Sequence, residues 1–305
     1  MVRSLHFQKH LEDFQPIPVT PRSRGDYLSL PSIKQNKTQR KSQIIIALII
    51  FGLVYFFAPV RANILFLGAD YIPGRNQVSR TDTMILMTVI PLKPYVGMLS
   101  IPRDLWVPIP GIGENRINTS YFFAEAAQRG SGPNAAVNVV RVDFGISIKY
   151  YILINMEGVI HVVDALGGVD VDLTKALGGL TAGRHHLTGK DALTFARERY
   201  SADDFSRMAQ GQILIKSIIR RMTTLSGVIR SPIVFFEIAK SIKTNLPWWQ
   251  IPRLALAVIR TGIDGIDNQV ITREMVTPFV SDGGAQVLAP KWDLINPKLL
   301  IMFGQ

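Results

Sequence analysis

An uncharged run of nineteen residues, between Lys41 and Arg61, is the feature that most restricts how this chain can fold. From Ile44 to Ala58 the run is almost entirely aliphatic and aromatic. At about 1.5 Å per residue, a helix of this length covers most of a hydrocarbon core about 30 Å thick. Basic residues flank the run, and its apolar positions do not alternate with polar ones. We therefore predict a transmembrane helix over residues 44–60 rather than a buried core element.

The first 43 residues are basic, with eight Lys and Arg against three Asp and Glu. They also contain four prolines and show no helical periodicity, a pattern typical of a disordered tail. The positive-inside rule places this tail in the cytoplasm and residues 63–305 outside the membrane. A cleaved signal peptide is the alternative, because Val60-Arg61-Ala62 resembles a small-x-small cleavage site, although the preceding leader is long.

The composition excludes several classes of protein. A chain of 305 residues with 47% hydrophobic residues is not disordered, and the absence of cysteine excludes disulfides, thiolate metal sites and a cysteine nucleophile. The net charge of +11 favours an anionic partner, which leaves nucleic acid, a membrane surface and a phosphorylated substrate open.

Strand-like and helix-like segments are mixed beyond residue 62, without an internal repeat. We predict strands near residues 63–68, 82–90, 95–101, 150–154, 169–173 and 269–272. We predict helices over residues 134–142, 157–166, most of 189–260, and 294–303. This order of elements predicts one three-layer α/β domain.

Two acidic residues stand at predicted strand ends: Asp70 follows the first strand and Asp82 opens the second. If these strands are neighbours, the two carboxylates meet at one edge of the sheet. Such a pair suits Mg²⁺, which prefers oxygen ligands and leaves coordination positions for substrate phosphates. The alternative is that both residues only cap turns.

Several arginines accompany the two carboxylates. The rigid fork of a guanidinium matches pairs of phosphate oxygens, so a group of arginines can clamp a diphosphate. For each arginine taken alone, a surface salt bridge is the alternative. The candidates are Arg80, Arg103, Arg197, Arg199 and Arg207.

The chain resembles the LytR-CpsA-Psr family of bacterial cell-wall glycopolymer transferases. Any one of the motifs is weak, but they occur in the family order over residues 63 to about 225. They include Asn63-Ile-Leu-Phe-Leu-Gly-Ala-Asp70, Arg80-Thr-Asp-Thr-Met84, Met98-Leu-Ser-Ile-Pro-Arg-Asp104, Arg116-Ile-Asn118, Val163-Asp-Ala-Leu-Gly-Gly-Val-Asp170, Ala196-Arg-Glu-Arg199 and Asp204-Phe-Ser-Arg207.

The resemblance implies a three-layer α-β-α domain with a mixed central sheet. It implies a membrane-bound, Mg²⁺-dependent enzyme that moves a glycan phosphate from a polyprenyl diphosphate to a peptidoglycan hydroxyl. The matching residues are Asp70, Asp82 and Arg103 for catalysis, with both Asp residues as metal ligands. Those for diphosphate binding are Arg80, Arg103, Arg116, Arg197, Arg199 and Arg207, joined by Gln210 or Gln212, because Gln210-Gly211 departs from the usual Arg-Gln.

The family also implies a cavity for the polyprenyl chain. Candidate lining residues are Ile213, Phe235, Phe236 and Trp248 on apolar helical segments, with ordinary core packing as the alternative. Trp248 and Trp249 have a second interpretation as residues at a membrane interface.

Three functional alternatives stay open at this point. A pyrophosphatase or a non-catalytic carrier of lipid diphosphates would use the same residues. A membrane-bound transcriptional attenuator would have to bind nucleic acid through the cytoplasmic tail, which lacks a DNA-binding motif, so we expect no nucleic-acid partner.

Overall fold

The computed structural model describes residues 37–57, 60–69, 78–198 and 204–304. Over these residues the α-helices are α1 (Lys37–Phe57), α2 (Thr119–Ala127), α3 (Gly132–Asp143), α4 (Met156–Ala165), α5 (Gly189–Arg197), α6 (Asp204–Thr223), α7 (Leu225–Ser241), α8 (Ile251–Thr261) and α9 (Trp292–Phe303). Two short 3₁₀ helices cover Trp248–Gln250 and Arg273–Met275.

The strands over the same residues are β1 (Ala62–Ala69), β2 (Thr81–Ile90), β3 (Tyr95–Ser100), β4 (Trp106–Ile109), β5 (Gly113–Arg116), β6 (Tyr150–Asn155), β7 (Val169–Leu173), β8 (Gly183–Leu187), β9 (Ile242–Thr244), β10 (Asp267–Val270), β11 (Val276–Val280) and β12 (Gln286–Pro290). Every predicted strand is present, with its limits shifted by at most a few residues.

Six strands form a central sheet in the order β10-β3-β2-β1-β6-β9. The pairs β1–β2, β2–β3 and β6–β9 are antiparallel, whereas β1–β6 and β3–β10 are parallel. The mixed central sheet is therefore confirmed. The inner strands are apolar along almost their whole length because helices cover both faces of the sheet.

The two faces of the sheet bury alternate residues of the same strands. Leu65 and Leu86 pack in a cluster that includes residues of α2, α3 and α9. Ile64 and Ile85 pack on the other face, in a cluster that includes residues of α6 and α8. This alternation produces the predicted three layers, helix–sheet–helix.

A third apolar cluster joins α4, α5, α6 and α7 to the hairpin β7–β8. Its fully buried members include Val163, Val171 and Phe195, with Leu214 of α6 and Val234 of α7 beside them. Helix α5 begins with a complete capping box, in which Thr188 and Asp191 bond each other's backbone N–H groups. The start of α5 is therefore fixed, and with it the course of the helix toward Arg197.

The directions of the strands bring several strand ends together at one end of the sheet. Ala69 at the end of β1 pairs with Thr81 at the start of β2 and with Asn155 at the end of β6. β3 also runs toward this end of the sheet, which we call the Ala69 end. The opposite end of the sheet, the Ala62 end, carries the start of β1 and the turn between β2 and β3.

Helix α1 has the length and composition to cross a membrane. Residues 40–57 have a mean hydropathy of 1.7 and none of them is buried. The helix begins at Lys37, so residues 37–43, which we predicted to be disordered, are helical. The remainder of the predicted tail lies outside the described residues.

Candidate active site

Asp82 and Arg103 meet at the Ala69 end of the sheet. Asp82 is the second residue of β2, and Arg103 follows β3 by three residues. Arg103 Nη1 donates to Asp82 Oδ1 at 2.7 Å, and Arg103 Nε donates to Asp104 Oδ2 at 3.3 Å. These charge-assisted hydrogen bonds hold the guanidinium against the strand ends.

A polar cavity of about 250 Å³ opens beside this pair. Its lining includes Asp82, Arg103, Arg197 from the end of α5 and Arg207 from the first turn of α6. Four of the predicted site residues therefore come together from four separate segments. Three guanidinium groups and one carboxylate give the lining a net positive charge, which suits an anion with several oxygens.

Arg116 lies behind the Arg103–Asp82 pair and does not line the cavity. Its Nε is 3.2 Å from Asp104 Oδ1, and its Nη2 donates to the backbone oxygen of Gln286 at 3.1 Å. Asp104 thus lies between two arginines, and a chain of four charges runs from Arg116 to Asp82. Arg116 positions Asp104, and through it Arg103, instead of facing the cavity.

Arg80 also lies outside the cavity lining. Its guanidinium carbon is 5.6 Å from the centre of the Phe122 ring, a cation–π contact with α2. Asp70 and Arg199, the other predicted site residues in this region, lie outside the described residues.

The two glutamines of α6 are buried in the protein interior. Gln212 Nε2 donates to Ser100 Oγ at 2.9 Å and to the backbone oxygen of Gln269 at 2.7 Å, which attaches α6 to β3 and β10. Gln210 is fully buried next to Gly178. Neither side chain lines the polar cavity, so these placements do not support the predicted diphosphate contacts.

An apolar pocket of about 170 Å³ adjoins the polar cavity. The two share Thr83, Met156, Ala196 and Arg197 as lining residues. The remaining lining of the pocket is almost wholly apolar and comes from β1, β6, α4, α5, α6, α7 and β9: Phe66, Gly68, Ile154, Val159, Val162, Leu193, Gly211, Leu214, Ile215, Ile218, Ile219, Ile238 and Ile242. A charged compartment and an apolar one therefore lie side by side, separated only by residues that line both.

The family model for the LytR_cpsA_psr family matches residues 33–289 of this chain, well over half of its length. The chain belongs to this family. The TagU protein of Oceanobacillus iheyensis, a polyisoprenyl-teichoic acid–peptidoglycan teichoic acid transferase, is 34% identical over 219 residues, covering 70% of this chain and 66% of the relative. TagU of Bacillus cereus is 35% identical over 191 residues, covering 60% of each chain.

The match spans less than two thirds of the length of each of these transferases. Among solved structures, the crystal structure of B. subtilis TagV superposes with a TM-score of 0.65 at 24% identity, covering 81% of this chain and 98% of that one. This similarity shows that the LytR-CpsA-Psr domain of our chain has the same fold as TagV.

The apolar pocket of this LytR-CpsA-Psr domain differs from the predicted lipid site in its residues. None of the four predicted residues lines it: Phe235, Phe236 and Trp248 are 64%, 58% and 76% exposed, and Ile213 packs against the helical cluster. The prediction was closer for α6, because Leu214, Ile215, Ile218 and Ile219 of the same helix do line the pocket.

Gly68 and Gly211 also line the pocket, although the sequence did not predict either glycine as a pocket residue. Their sequence signal is the small residue itself. A Cβ at Gly68 would approach the Cβ of Thr83 to 3.0 Å, and the nearest atom to a Cβ at Gly211 would also belong to Thr83. The two glycines therefore leave space on either side of Thr83.

Among the described residues that line the polar cavity of this LytR-CpsA-Psr domain, Asp82 is the one carboxylate available to a metal ion. Within the described ranges, no three Asp, Glu or His side chains are grouped as for a metal ion. Asp82 and the Thr83 hydroxyl nevertheless offer hard oxygen atoms at the cavity. They fit Mg²⁺, which commonly takes one or two carboxylates and completes its coordination with substrate phosphates and water.

Proposed function

We propose that this protein transfers a phosphate-linked glycopolymer from a polyprenyl-diphosphate carrier to a hydroxyl of peptidoglycan. The observation that carries the proposal is the adjacency of the two cavities, which share Arg197 as a lining residue. A prenyl diphosphate has the same two parts, an apolar chain and a polyanionic head. The names of the TagU relatives, which are teichoic acid transferases acting on peptidoglycan, support the same reaction.

In this proposal the prenyl chain enters the apolar pocket and the diphosphate binds among Arg103, Arg197 and Arg207. The acceptor oxygen forms a bond to the glycan-linked phosphorus. The bond from that phosphorus to the bridging oxygen breaks, and polyprenyl phosphate leaves with the electron pair. The arginines neutralise the charge on the phosphoryl oxygens and on the leaving group. The acceptor proton passes to a carboxylate, either Asp82 or, following the family resemblance, Asp70.

Mg²⁺ is the proposed cofactor. Asp82 would hold it, together with Asp70 by the family resemblance. When bound, the ion would supply positive charge to the diphosphate oxygens as a Lewis acid.

The proposed topology is that of a single-pass membrane protein. Helix α1 crosses the membrane with the basic tail in the cytoplasm, and the domain of residues 63–305 lies on the outer side. The absence of charge from residues 42–57, none of which is buried, and the basic residues that precede them support this arrangement.

The reaction is tested with the purified full chain in detergent, Mg²⁺, a synthetic polyprenyl-diphosphate-linked glycan and peptidoglycan fragments. We expect release of polyprenyl phosphate together with glycan covalently bound to the fragments. Release of free glycan phosphate at the same rate with and without fragments would instead identify a pyrophosphatase. Donor binding without turnover would identify a carrier, and either result would overturn the transferase.

A further inference from the structure

Three contacts attach the chain to the domain at the last residue of α1 and directly after it. The Val60 backbone oxygen accepts from Arg253 Nη2 at 2.9 Å, and Arg61 Nη1 donates to the Met302 backbone oxygen at 2.7 Å. The guanidinium carbon of Arg260 lies 5.1 Å from the centre of the Phe57 ring at the end of α1. Two of these contacts come from α8, so this helix lies directly beside the point where the chain leaves α1.

The outward side of α8 is apolar. Ile251, Ala255 and Ile259 follow each other at intervals of four residues and are exposed, Ile251 to 45% and Ile259 to 61%. Trp248 and Trp249, immediately before the helix, are 76% and 51% exposed. Helices that face water normally present polar residues at such positions. We call this surface, comprising Trp248, Trp249, Ile251, Ala255 and Ile259, the α8 face.

Basic residues border the α8 face at its C-terminal end. Arg260 Nη1 donates to the Pro91 backbone oxygen at 2.7 Å, which joins α8 to the turn between β2 and β3. That turn exposes Lys93 and also Leu92, which is 45% exposed. Exposed Trp, aliphatic side chains and neighbouring Lys and Arg are the combination found at the boundary between lipid headgroups and acyl chains.

We propose that the α8 face inserts into the headgroup region of the same membrane that α1 crosses. The argument rests on the proposed anchoring by α1, and it is independent of the transfer reaction. The occupant is a lipid bilayer because the face is continuous with the end of the membrane helix and is bordered by cations that complement anionic lipids. The domain then has two attachments to the membrane, the helix and the α8 face.

The absence of cysteine allows a direct test with single spin labels on the full chain in nanodiscs of phosphatidylcholine and phosphatidylglycerol. The test variant is Ile259→Cys. The control is Val280→Cys, which is equally exposed, at 63%, and pairs with Gln286 on β12, close to Arg116. We expect the ratio of oxygen accessibility to nickel-chelate accessibility to be several-fold higher at residue 259 than at residue 280.

A third label, Leu48→Cys, reports on the anchor separately. If the label at residue 48 lies in the acyl chains while those at 259 and 280 are equally exposed to water, α1 is the only attachment and the proposal is overturned. A label at 259 that is shielded from both reagents would indicate a protein contact and would also overturn it. A label at 48 in water would overturn both anchoring and docking. None of these measurements depends on transferase activity.

Discussion

Arg103 combines two roles at the level of single residues. It lines the cavity, and it also connects Asp82 with the buried side of the site through Asp104 and Arg116. Each charge in this chain has an opposite neighbour, so the guanidinium of Arg103 is held in place before any substrate binds. A donor fixed in this way loses little free energy to reorganisation when charge develops on a phosphoryl group.

We expect Arg103→Ala to lower kcat about 10²–10³-fold, the usual effect of removing one fixed donor to a developing charge. The matched control is Arg116→Ala, because both arginines contact Asp104 and have similar exposure, 23% and 26% of the side chain. We expect Arg116→Ala to reduce the rate less than tenfold, since Arg116 acts through Asp104. Steady-state transfer rates of the two variants provide the measurement. An equal loss of kcat in both variants would contradict the assigned roles.

Burial raises the pKa of Asp143, in the last turn of α3, to about 6 from its ordinary value of 3.8. Above pH 6 the folded protein must hold this carboxylate charged in a poorly solvated position, whereas below about pH 4 the group is neutral in both states. Stability is therefore lost as the pH rises from about 4 to 6.

We expect Asp143→Asn to stabilise the protein on the order of 1 kcal/mol at pH 7.5, a figure reduced for the partial exposure of the carboxylate. The gain should shrink at pH 4.5. Urea unfolding of the full chain in detergent measures it, and a gain that does not change with pH would refute this explanation.

The sequence was sufficient to predict Asp82, Arg103, Arg197 and Arg207 as neighbours, because each stands at the end of a strand or helix in a family motif. The sequence was not sufficient to predict that Gln212 is buried and attaches α6 to the sheet. The hydrogen bonds of Gln212 to Ser100 and Gln269 depend on how α6 lies across the sheet, which no local pattern specifies.

At the scale of elements, α6 serves both compartments. Its first turn contributes Arg207 to the polar cavity, and Leu214 and Ile218, further along the helix, line the apolar pocket. Gly211 lies between them, and among the described residues outside the helix's own backbone the only atom that a Cβ there would meet within 4 Å is Thr83 Cγ2, at 3.9 Å. The position can therefore accept a side chain without a clash at Cβ.

We expect Gly211→Ala to raise stability by about 0.5–1 kcal/mol, since glycine is unfavourable inside a helix, and to retain activity. Gly211→Leu should occupy the pocket and lower kcat/KM about tenfold or more for a long-chain donor, because a few displaced methylene groups are each worth about 0.8 kcal/mol. A short-chain, water-soluble donor should be affected much less. Equal effects on both donors would show that the pocket does not hold the prenyl chain.

The main sheet was predictable because its strands are long apolar runs between turn residues. The hairpins β4–β5 and β11–β12 were not predicted, since their strands are only four or five residues long and none of them is a long apolar run. The predicted residues of α7 do not line the apolar pocket, for a related reason. Phe235 and Phe236 look like core residues in a linear pattern, but the face of α7 that carries them points outward.

At the scale of the whole molecule, the distribution of charge and apolar residues follows the proposed topology. A net charge of +5 lies in the first 43 residues, which include the first two turns of α1, and the remaining +6 belongs mainly to the domain that carries the arginine-lined cavity. The excess charge that first suggested one anionic partner thus belongs to two different regions.

We expect a cysteine at position 280 (Val280→Cys) to react with a membrane-impermeant maleimide in intact spheroplasts. A cysteine in the tail (Ser4→Cys) should react only after lysis. Mass shifts of the labelled chain provide the measurement. Labelling of Ser4→Cys without lysis would place the tail outside and reverse the proposed orientation.

Strand β1 has a consequence for the reach of the enzyme. It begins at Ala62, two residues beyond the carbonyl fixed by Arg253, and it ends at Ala69, seven residues later, beside the strand that carries Asp82. At about 3.3 Å per residue, the strand is a rigid spacer of about 25 Å. Under the proposed topology, we expect this spacer to hold the cavity at a set height above the lipid and to restrict transfer to the innermost glycan strands of the wall.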